Sequence, residues 1–406
     1  MPAQALLQAD KTRAMSRSDL VNLVTAFWNN EKVRSVFYQV LFLGLIGLAG
    51  YYLFSNTLEN LSSQSIATGF GFLEEPAEFD IGESLIPFSG ADTYARALLV
   101  GFVNTLKVGL IGTVLALVVG TIVGIGRVSK NWLISRMTLV FIEFMQNVPT
   151  LLHLFFWYVL FYQNLPSPKN AIKLSENIYL CKRGLYFPVP EDSVAFLYVF
   201  IGVISAFVLI YFIRRWAKKR QEETGQPFPV LWVSMAVLLG LPLLTWFAAG
   251  TPSAMSIPEV KGFNFQGGYS LSAEFIALEL GLVLYTSAFI AEAVRAGIQS
   301  VSRGQVEAAM AIGLRPFQTL RLVVLPQALR VTIPPLTSQM LNLTKNSSIA
   351  VGIGYPDFVA VASTTINQTG QAVEGIALIL IVYLTFSLST SAFMNWYNRK
   401  TALVQR

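Results

Sequence analysis

The chain has 406 residues, of which 54% are apolar and only 13% are charged, with 29 phenylalanines. Charges at about half the share usual in soluble domains cannot cover a water-facing surface, so composition excludes an ordinary soluble protein and points to a membrane. One histidine, His153, and one cysteine, Cys181, exclude a His/Cys metal cluster and an intrachain disulfide. Neither a metal nor any other cofactor is expected.

Crossing the hydrocarbon layer takes roughly 20 apolar residues as a helix. Eight stretches qualify: 36–54, 97–125, 139–161, 194–213, 231–249, 273–298, 331–353 and 373–394. The first follows a 35-residue charged lead, and no small-residue cleavage pattern comes after it, so it reads as a span and not as a signal peptide. The chain is expected to be all-α, with eight transmembrane helices.

Basic residues set the orientation. Lys11, Arg13, Arg17, Lys32 and Arg34 precede the first span, whereas residues 55–95 contain seven acids and no Lys or Arg. Arg127, Lys130 and Arg136 follow the second span, and Arg214, Arg215, Lys218, Lys219 and Arg220 follow the fourth. Arg303, Arg315, Arg321 and Arg330 follow the sixth, and Arg399, Lys400 and Arg406 close the chain. The positive-inside rule then places both termini in the cytoplasm. Lys169, Lys173, Lys182 and Arg183 run against the pattern, in a segment that must lie outside. The net charge of +6 thus reflects topology, and no nucleic-acid partner is expected. The run at 214–220 reads as a topology anchor before a lipid-head-group site.

No G-x-x-x-x-G-K-[ST] loop occurs, nor a G-x-G-x-x-G after a strand, so the chain cradles no nucleotide phosphate. Work against a gradient must then draw on an ion gradient or on ATP hydrolysed by another subunit. No internal repeat of the secondary-transporter kind is visible. Gly120 and Gly124 have the spacing that lets membrane helices pack closely.

The loop after the sixth span is the most informative stretch. Ser302 and Gln305 have capping-box spacing, which predicts a helix start. Gly313 is placed to end that helix, Pro316 suits the first turn of a second, and Pro326 is expected to stop it. Val306, Ala309, Met310 and Gly313 fall at i, i+3, i+4, i+7, giving one apolar or small face. Spacing alone fits an ordinary structured loop equally well.

The residues carry a resemblance here. Glu307-Ala308-Ala309, Gly313 and Leu325-Pro326 resemble the EAA loop of permease subunits in binding-protein-dependent ABC importers. Residues 291–301 and Gly101-Phe102-Val103-Asn104-Thr105-Leu106 resemble the polar amino-acid (HisMQ) branch. Residues 343–348, Gly354-Tyr355-Pro356-Asp357 and 367–372 resemble general L-amino-acid permeases of the AapQ/BztB/NatC type. The resemblance implies a type I importer core of five helices, with one N-terminal and two inserted helices added. It divides the chain into a cytoplasmic lead (1–35), an extra helix (36–54), an acidic periplasmic loop (55–93), an N-terminal core segment (94–162), a two-span insertion (163–272) and a C-terminal core segment (273–400). The coupling loop at 302–326 lies within the C-terminal core segment. The resemblance further implies a bacterial inner-membrane subunit that is not itself an enzyme and moves L-amino acids into the cytoplasm by alternating access. The partners so implied are a second permease in a heterodimer, an ATPase dimer and a periplasmic amino-acid-binding protein, with lipid around the spans. Gln305, Glu307, Ala308, Ala309 and Gly313 would then form a coupling helix seated on the ATPase.

Ionisable groups inside spans cost about 2.5–3.5 kcal/mol at the helix centre on insertion scales. Glu143, Gln146, Asn147 and Thr150 fall at i, i+3, i+4, i+7 on the third span, a polar stripe beside Pro149, which should bend the helix. The stripe is either a wall of the translocation pathway or a set of interhelical hydrogen bonds. The family commonly has arginine where Gln146 stands and often glutamine where His153 stands; His153 itself reads as a packed residue. On the seventh span, Lys345, Asn346 and Ser348 are the facing candidates. Neutral amides and hydroxyls serve both ends of a zwitterion. Glu292 and Arg295 have the spacing of an intrahelical pair, and Lys107 is expected to snorkel. The acidic loop is either a docking surface for a basic patch or plain solvated surface, and the insertion reads as peripheral packing. The rival reading is an ion-coupled secondary amino-acid transporter, with Glu143 or Glu292 as coupling carboxylate. An intramembrane enzyme fits poorly, because no G-x-S-x-G element or metal-ligand pair occurs.

Overall fold

Residues 30–63, 68–191, 193–251 and 253–401 are described in a computed structural model. Lys11, Arg13, Arg17 and Arg406, read above as topology markers, lie outside them. The chain forms two units, divided at Phe70 and Gly71. The first contains helix α1 (Glu31–Ser63), apolar on every side between its charged ends, as a helix immersed in lipid requires.

The second unit is a helical bundle with a small β-layer at one end. Helix α2 (Tyr94–Arg127) starts where Thr93 Oγ1 accepts the Arg96 N–H at 3.3 Å, and it runs 34 residues without a proline. Helix α3 (Trp132–Asn147) is capped by Asn131, whose side-chain oxygen accepts from the N–H groups of Leu133 and Ile134. It ends abruptly, and α4 (Thr150–Asn164) leaves at 103°. The expected bend at Pro149 is thus a break. Proline supplies no N–H and forces Val148 into extended backbone (φ −99°, ψ 129°), so the helical ladder stops.

The insertion adds structure that periodicity did not reveal. Strands β1 (Ile172–Ser175), β2 (Ile178–Cys181) and β3 (Gly184–Phe187) pair in sequence, antiparallel. After short β4 (Val189–Pro190) come the two apolar helices α5 (Ser193–Thr224) and α6 (Val230–Ala248), which pack together where Gly202 meets Thr245. The chain then returns through β5 (Met255–Ser256), which pairs with β4, and the hairpin β6 (Glu259–Lys261) and β7 (Asn264–Gln266). Strand β8 (Tyr269–Ser272) completes the sheet in the order β1-β2-β3-β8. Strands of two to four residues are too short for alternation to register. The sheet also accounts for the contrary cations. Lys169 lies over the Phe263 ring, Lys173 over Tyr179 and Lys182 over Tyr162. They belong to a folded layer, and the positive-inside rule carries little weight for such segments.

Strand β8 feeds directly into α7 (Ala273–Gln299), with Ser272 Oγ accepting the Phe275 N–H at 3.0 Å. At 1.5 Å per residue α7 is about 40 Å long, so the sheet at its start and the loop after its end lie at opposite ends of the bundle. It is the central helix, and α2 crosses it at the two spaced glycines. A Cβ at Gly120 would lie 2.6 Å from Ile290, and one at Gly124 would lie 2.8 Å from Val294 and from the Ala291 carbonyl.

Beyond α7, helix α8 (Arg303–Ala311) starts after Ser302, but no side-chain cap forms there. The reciprocal bond occurs one helix later, where the Arg315 N–H donates to Gln318 Oε1 at 2.9 Å. Gly313 ends α8 at φ +85°, and Pro316 opens α9 (Pro316–Thr319), both as the spacing predicts. Pro326 does not stop the chain. A π-turn at Leu320–Val324 leads into α10 (Leu325–Asn346), where Pro326 occupies the first turn and its missing N–H is tolerated. The seventh span therefore starts earlier than residue 331. It tightens into a 3₁₀ segment at Ser347–Ile353, turns at Gly354 (φ +80°) and resumes after a 50° bend as α11 (Phe358–Thr369). Helix α12 (Ala372–Thr401) closes the described chain. Among the described residues six single helices and two bent pairs are long and apolar enough to span, which matches the eight stretches read from sequence.

Leucine at Gly120 or valine at Gly124 should prevent α2 from reaching α7, whereas leucine at Gly240, with open space around it, should be tolerated. Thermal unfolding of the purified subunit checks this: a lowered midpoint for the first two and an unchanged one for the third are expected.

Candidate translocation and coupling site

Two sequence motifs some 250 residues apart meet where the broken seventh span turns. A Cβ at Gly101 would touch Phe358 Cα at 3.0 Å, so only glycine admits this approach. Thr105 Oγ1 accepts the Phe358 N–H at 2.9 Å, and Asn104 Nδ2 donates to the Pro356 carbonyl at 3.0 Å. The buried Asp357 caps α11 through the Ala360 N–H (2.8 Å) and accepts from the Tyr383 hydroxyl at 3.1 Å. A helix break at membrane depth frees backbone groups, and these side chains satisfy them. Asn104, Thr105 and Asp357 carry no candidate role in the sequence reading, although the motifs containing them stand out there.

A second buried cluster corrects the reading of Lys107. It does not snorkel. Its side chain is 5% exposed and forms an ion pair with Glu83, itself 5% exposed, beneath the Phe275 ring. Glu83 Oε2 also accepts the Ser272 N–H at 3.0 Å, its carbonyl accepts from Asn104 Nδ2 at 2.8 Å, and Lys107 donates to the Tyr269 hydroxyl at 3.3 Å. One acid of the acidic loop thus pins that loop to α2, to β8 and to the start of α7. Residues 71–93 are correspondingly folded, with a 3₁₀ turn at Gly71–Glu74 and a bridge from Pro76 to Thr93. Glu279, one turn beyond Phe275, is also buried, and among the described residues its carboxylate oxygens have no hydrogen-bond partner. A single acid in an otherwise apolar helical stripe gave no pattern to find.

The polar stripe of the third span does not survive as one line. Glu143 and Asn147 are exposed near the end of α3, and Asn147 Nδ2 donates to the Glu143 carbonyl at 2.7 Å. Gln146 turns toward α7 and donates to the Ala288 carbonyl at 3.3 Å. Thr150, beyond the break, is buried. His153 is packed between Phe144 and Tyr285, its Nε2 3.3 Å from the Met145 carbonyl, as expected of a packed residue. At the end of α10, Lys345 is exposed in the last turn while Asn346 and Ser348 are half-buried. Ser348 donates to the Lys345 carbonyl at 2.7 Å. The two breaks are neighbours, because Gly352 rests on Leu151 and Phe155 of α4. Among the described residues no hydrogen bond joins Asn147 or Thr150 to Asn346 or Ser348.

Glu292 and Arg295 form the intrahelical pair, at 2.7 Å. In the loop after α7 Gln305, Glu307 and Ala308 are exposed, whereas Ala309 is buried. Ile312 and Phe317 are 79% and 71% exposed at this end of the bundle, flanking the Gly313 turn.

This arrangement is that of a transport permease, with interrupted spans that bring their polar backbone inside the bundle and a rigid helix presented at one end. Residues 112–403 match the family described as binding-protein-dependent transport system inner membrane component, and the chain belongs to it. It is 49% identical to the general L-amino acid transport system permease protein AapQ of Rhizobium johnstonii, over 93% of this chain and 94% of that one. It is 45% identical to the putative amino-acid ABC transporter permease protein YhdX of Escherichia coli K12, over 93% and 96% of the two chains. Over the same shares it is 39% identical to the glutamate/glutamine/aspartate/asparagine transport system permease protein BztB of Rhodobacter capsulatus. The chain is thus a multi-pass inner-membrane transport component and not an enzyme. Membership leaves the ion-coupled alternative without support.

Lys107→Met should leave Glu83 charged and buried without its partner, a loss of about 3–5 kcal/mol. The double variant Lys107→Met, Glu83→Gln should recover some of it. Unfolding of the wild type and the two variants in detergent checks the order; equal stability of wild type and single variant would contradict it.

Proposed function

We infer that the chain is a permease subunit of an ATP-driven importer that carries L-amino acids across the inner membrane by alternating access. The observation that carries this reading is the short helix α8, with Glu307 and Ala308 exposed and the apolar Ile312 and Phe317 beside it, in a chain whose relatives over most of its length bear amino-acid transport names. A short helix ended by a left-handed glycine and followed by proline is stiff enough to pass a push from a partner into α10. That partner is an ATPase dimer.

The surrounding assembly follows the same logic. A second permease, related but distinct, covers the exposed faces of α3 and α10, and a periplasmic amino-acid-binding protein delivers substrate to the sheet end. Both termini lie in the cytoplasm, a reading supported by bases in the coupling loop and in the turn after α2, opposite the acidic segment. Substrate passes along Asn147 and Thr150 of the third span and Asn346 and Ser348 of the seventh, with Glu143, Gln146 and Lys345 at the margin. Neutral amides and hydroxyls meet an ammonium and a carboxylate without a fixed charge to reject charged side chains.

Gly313→Val places a β-branched residue at φ +85°, a strain of about 1–3 kcal/mol. Substrate-stimulated ATP hydrolysis should fall about tenfold or more while the subunit still inserts, and a cysteine at Ala308 should crosslink to the ATPase. Crosslinking to the binding protein instead would overturn both role and orientation. Asn147→Leu and Asn346→Leu should each abolish uptake with assembly retained. Normal uptake in both would assign these residues to helix packing.

A further inference from the structure

The sheet end of the bundle holds a cavity of about 1050 Å³, walled by the acidic segment, the sheet turns, the start of α7 and α11. Its floor includes Val351, Gly354 and Pro356, so it opens onto the break in the seventh span. Five charged side chains line it. Glu83 is already satisfied by Lys107 and the Ser272 N–H. The other four are Lys182, Arg183, Asp80 and Glu274, and among the described residues none of them forms an ion pair.

Lys182 and Glu274 are instead each placed against a tyrosine. Lys182 Nζ lies 5.8 Å from the Tyr162 ring centre, Tyr162 stacks on Tyr158 at 6.2 Å, and the Tyr158 hydroxyl donates to Glu274 Oε1 at 3.4 Å. Asp80 is held by the Gly90 N–H at 3.2 Å. Both signs therefore line one cavity, with no ion pair between them among the described residues. A small ligand with both charges on one skeleton answers this arrangement, and a ligand with one charge answers half of it. Phe79, Ile81 and Phe265 supply apolar wall without selecting any one side chain.

We propose that this cavity is a capture site for α-amino-acid zwitterions, Lys182 and Arg183 taking the carboxylate and Glu274 and Asp80 the ammonium. The proposal rests on the amino-acid import reading and adds a role for the insertion, which builds more than a third of the wall. The volume stands at the upper end of small-molecule pockets, so the ligand enters with water and is held weakly. Weak holding suits a station that must release its ligand to the spans beneath. Because Arg183 and Asp80 are exposed, the attraction is screened and weakens with salt.

The test uses the paired permeases with their ATPase dimer in detergent, the binding protein left out of the binding measurement, and labelled L-alanine, whose side chain adds no charge, in equilibrium binding. Lys182→Ala with Arg183→Ala, and separately Glu274→Gln with Asp80→Asn, should each weaken binding about tenfold, the value of one charge-assisted contact. The charge-keeping Lys182→Arg with Arg183→Lys should retain it. Ethylamine and propionate, each with one of the two charges, should compete far less well than glycine. Wild-type affinity in both neutralised variants, or full competition by either single-charge analogue, would overturn the site while leaving amino-acid import standing. A wild-type importer that neither binds nor imports any amino acid would overturn both.

Discussion

The close crossing of α2 on α7 is the constraint on which the bundle depends. Helices in lipid gain nothing from burying apolar surface against one another, so association rests on packing and on polar contacts. Gly120 and Gly124 let the α2 backbone come down onto Ile290, Ala291 and Val294. With α7 fixed at the centre, its two ends define the two ends of the bundle. The sheet and the folded acidic segment gather at Ala273, and the loop that carries α8 emerges past Gln299.

Both interrupted spans lean on this axis, and each interruption has an identifiable chemical cause. In the third span proline removes a donor and pushes its neighbour out of helical backbone. In the seventh, the helix narrows to 3₁₀ and a left-handed glycine turns it before Asp357 starts the next piece, bent by 50°. Freed backbone groups are taken up by Asn104 and Thr105 from α2, which makes α2 both scaffold and solvent substitute. Irregular backbone inside a membrane is tolerated where protein or water covers it, and transport proteins place their pathways there.

The spans and the two short helices after α7 were legible because each rests on a local signal: a run of about 20 apolar residues, a glycine after the last helical turn, a proline in the next first turn. The contacts that were not legible are non-local. Lys107 read alone suggests snorkelling, and only the fold brings Glu83 under Phe275 to meet it. The sheet is built from four-residue strands split by two membrane helices, so β3 finds β8 more than 80 residues later and no window contains both. Helix α11 was likewise hidden, since its 12 residues are too few for a span and its start depends on a buried cap. For the pathway candidates, periodicity carried across Pro149 gave one stripe where the backbone makes two helices. The named residues stayed near one another, but their directions changed.

The most direct measurement is uptake of a labelled L-amino acid into vesicles that contain this chain with its second permease, the ATPase and the binding protein. The account predicts that uptake needs ATP on the ATPase side and stops when the ATPase is omitted. It should persist when ionophores collapse the proton and sodium gradients. Accumulation by this chain alone, abolished by those ionophores, would contradict it.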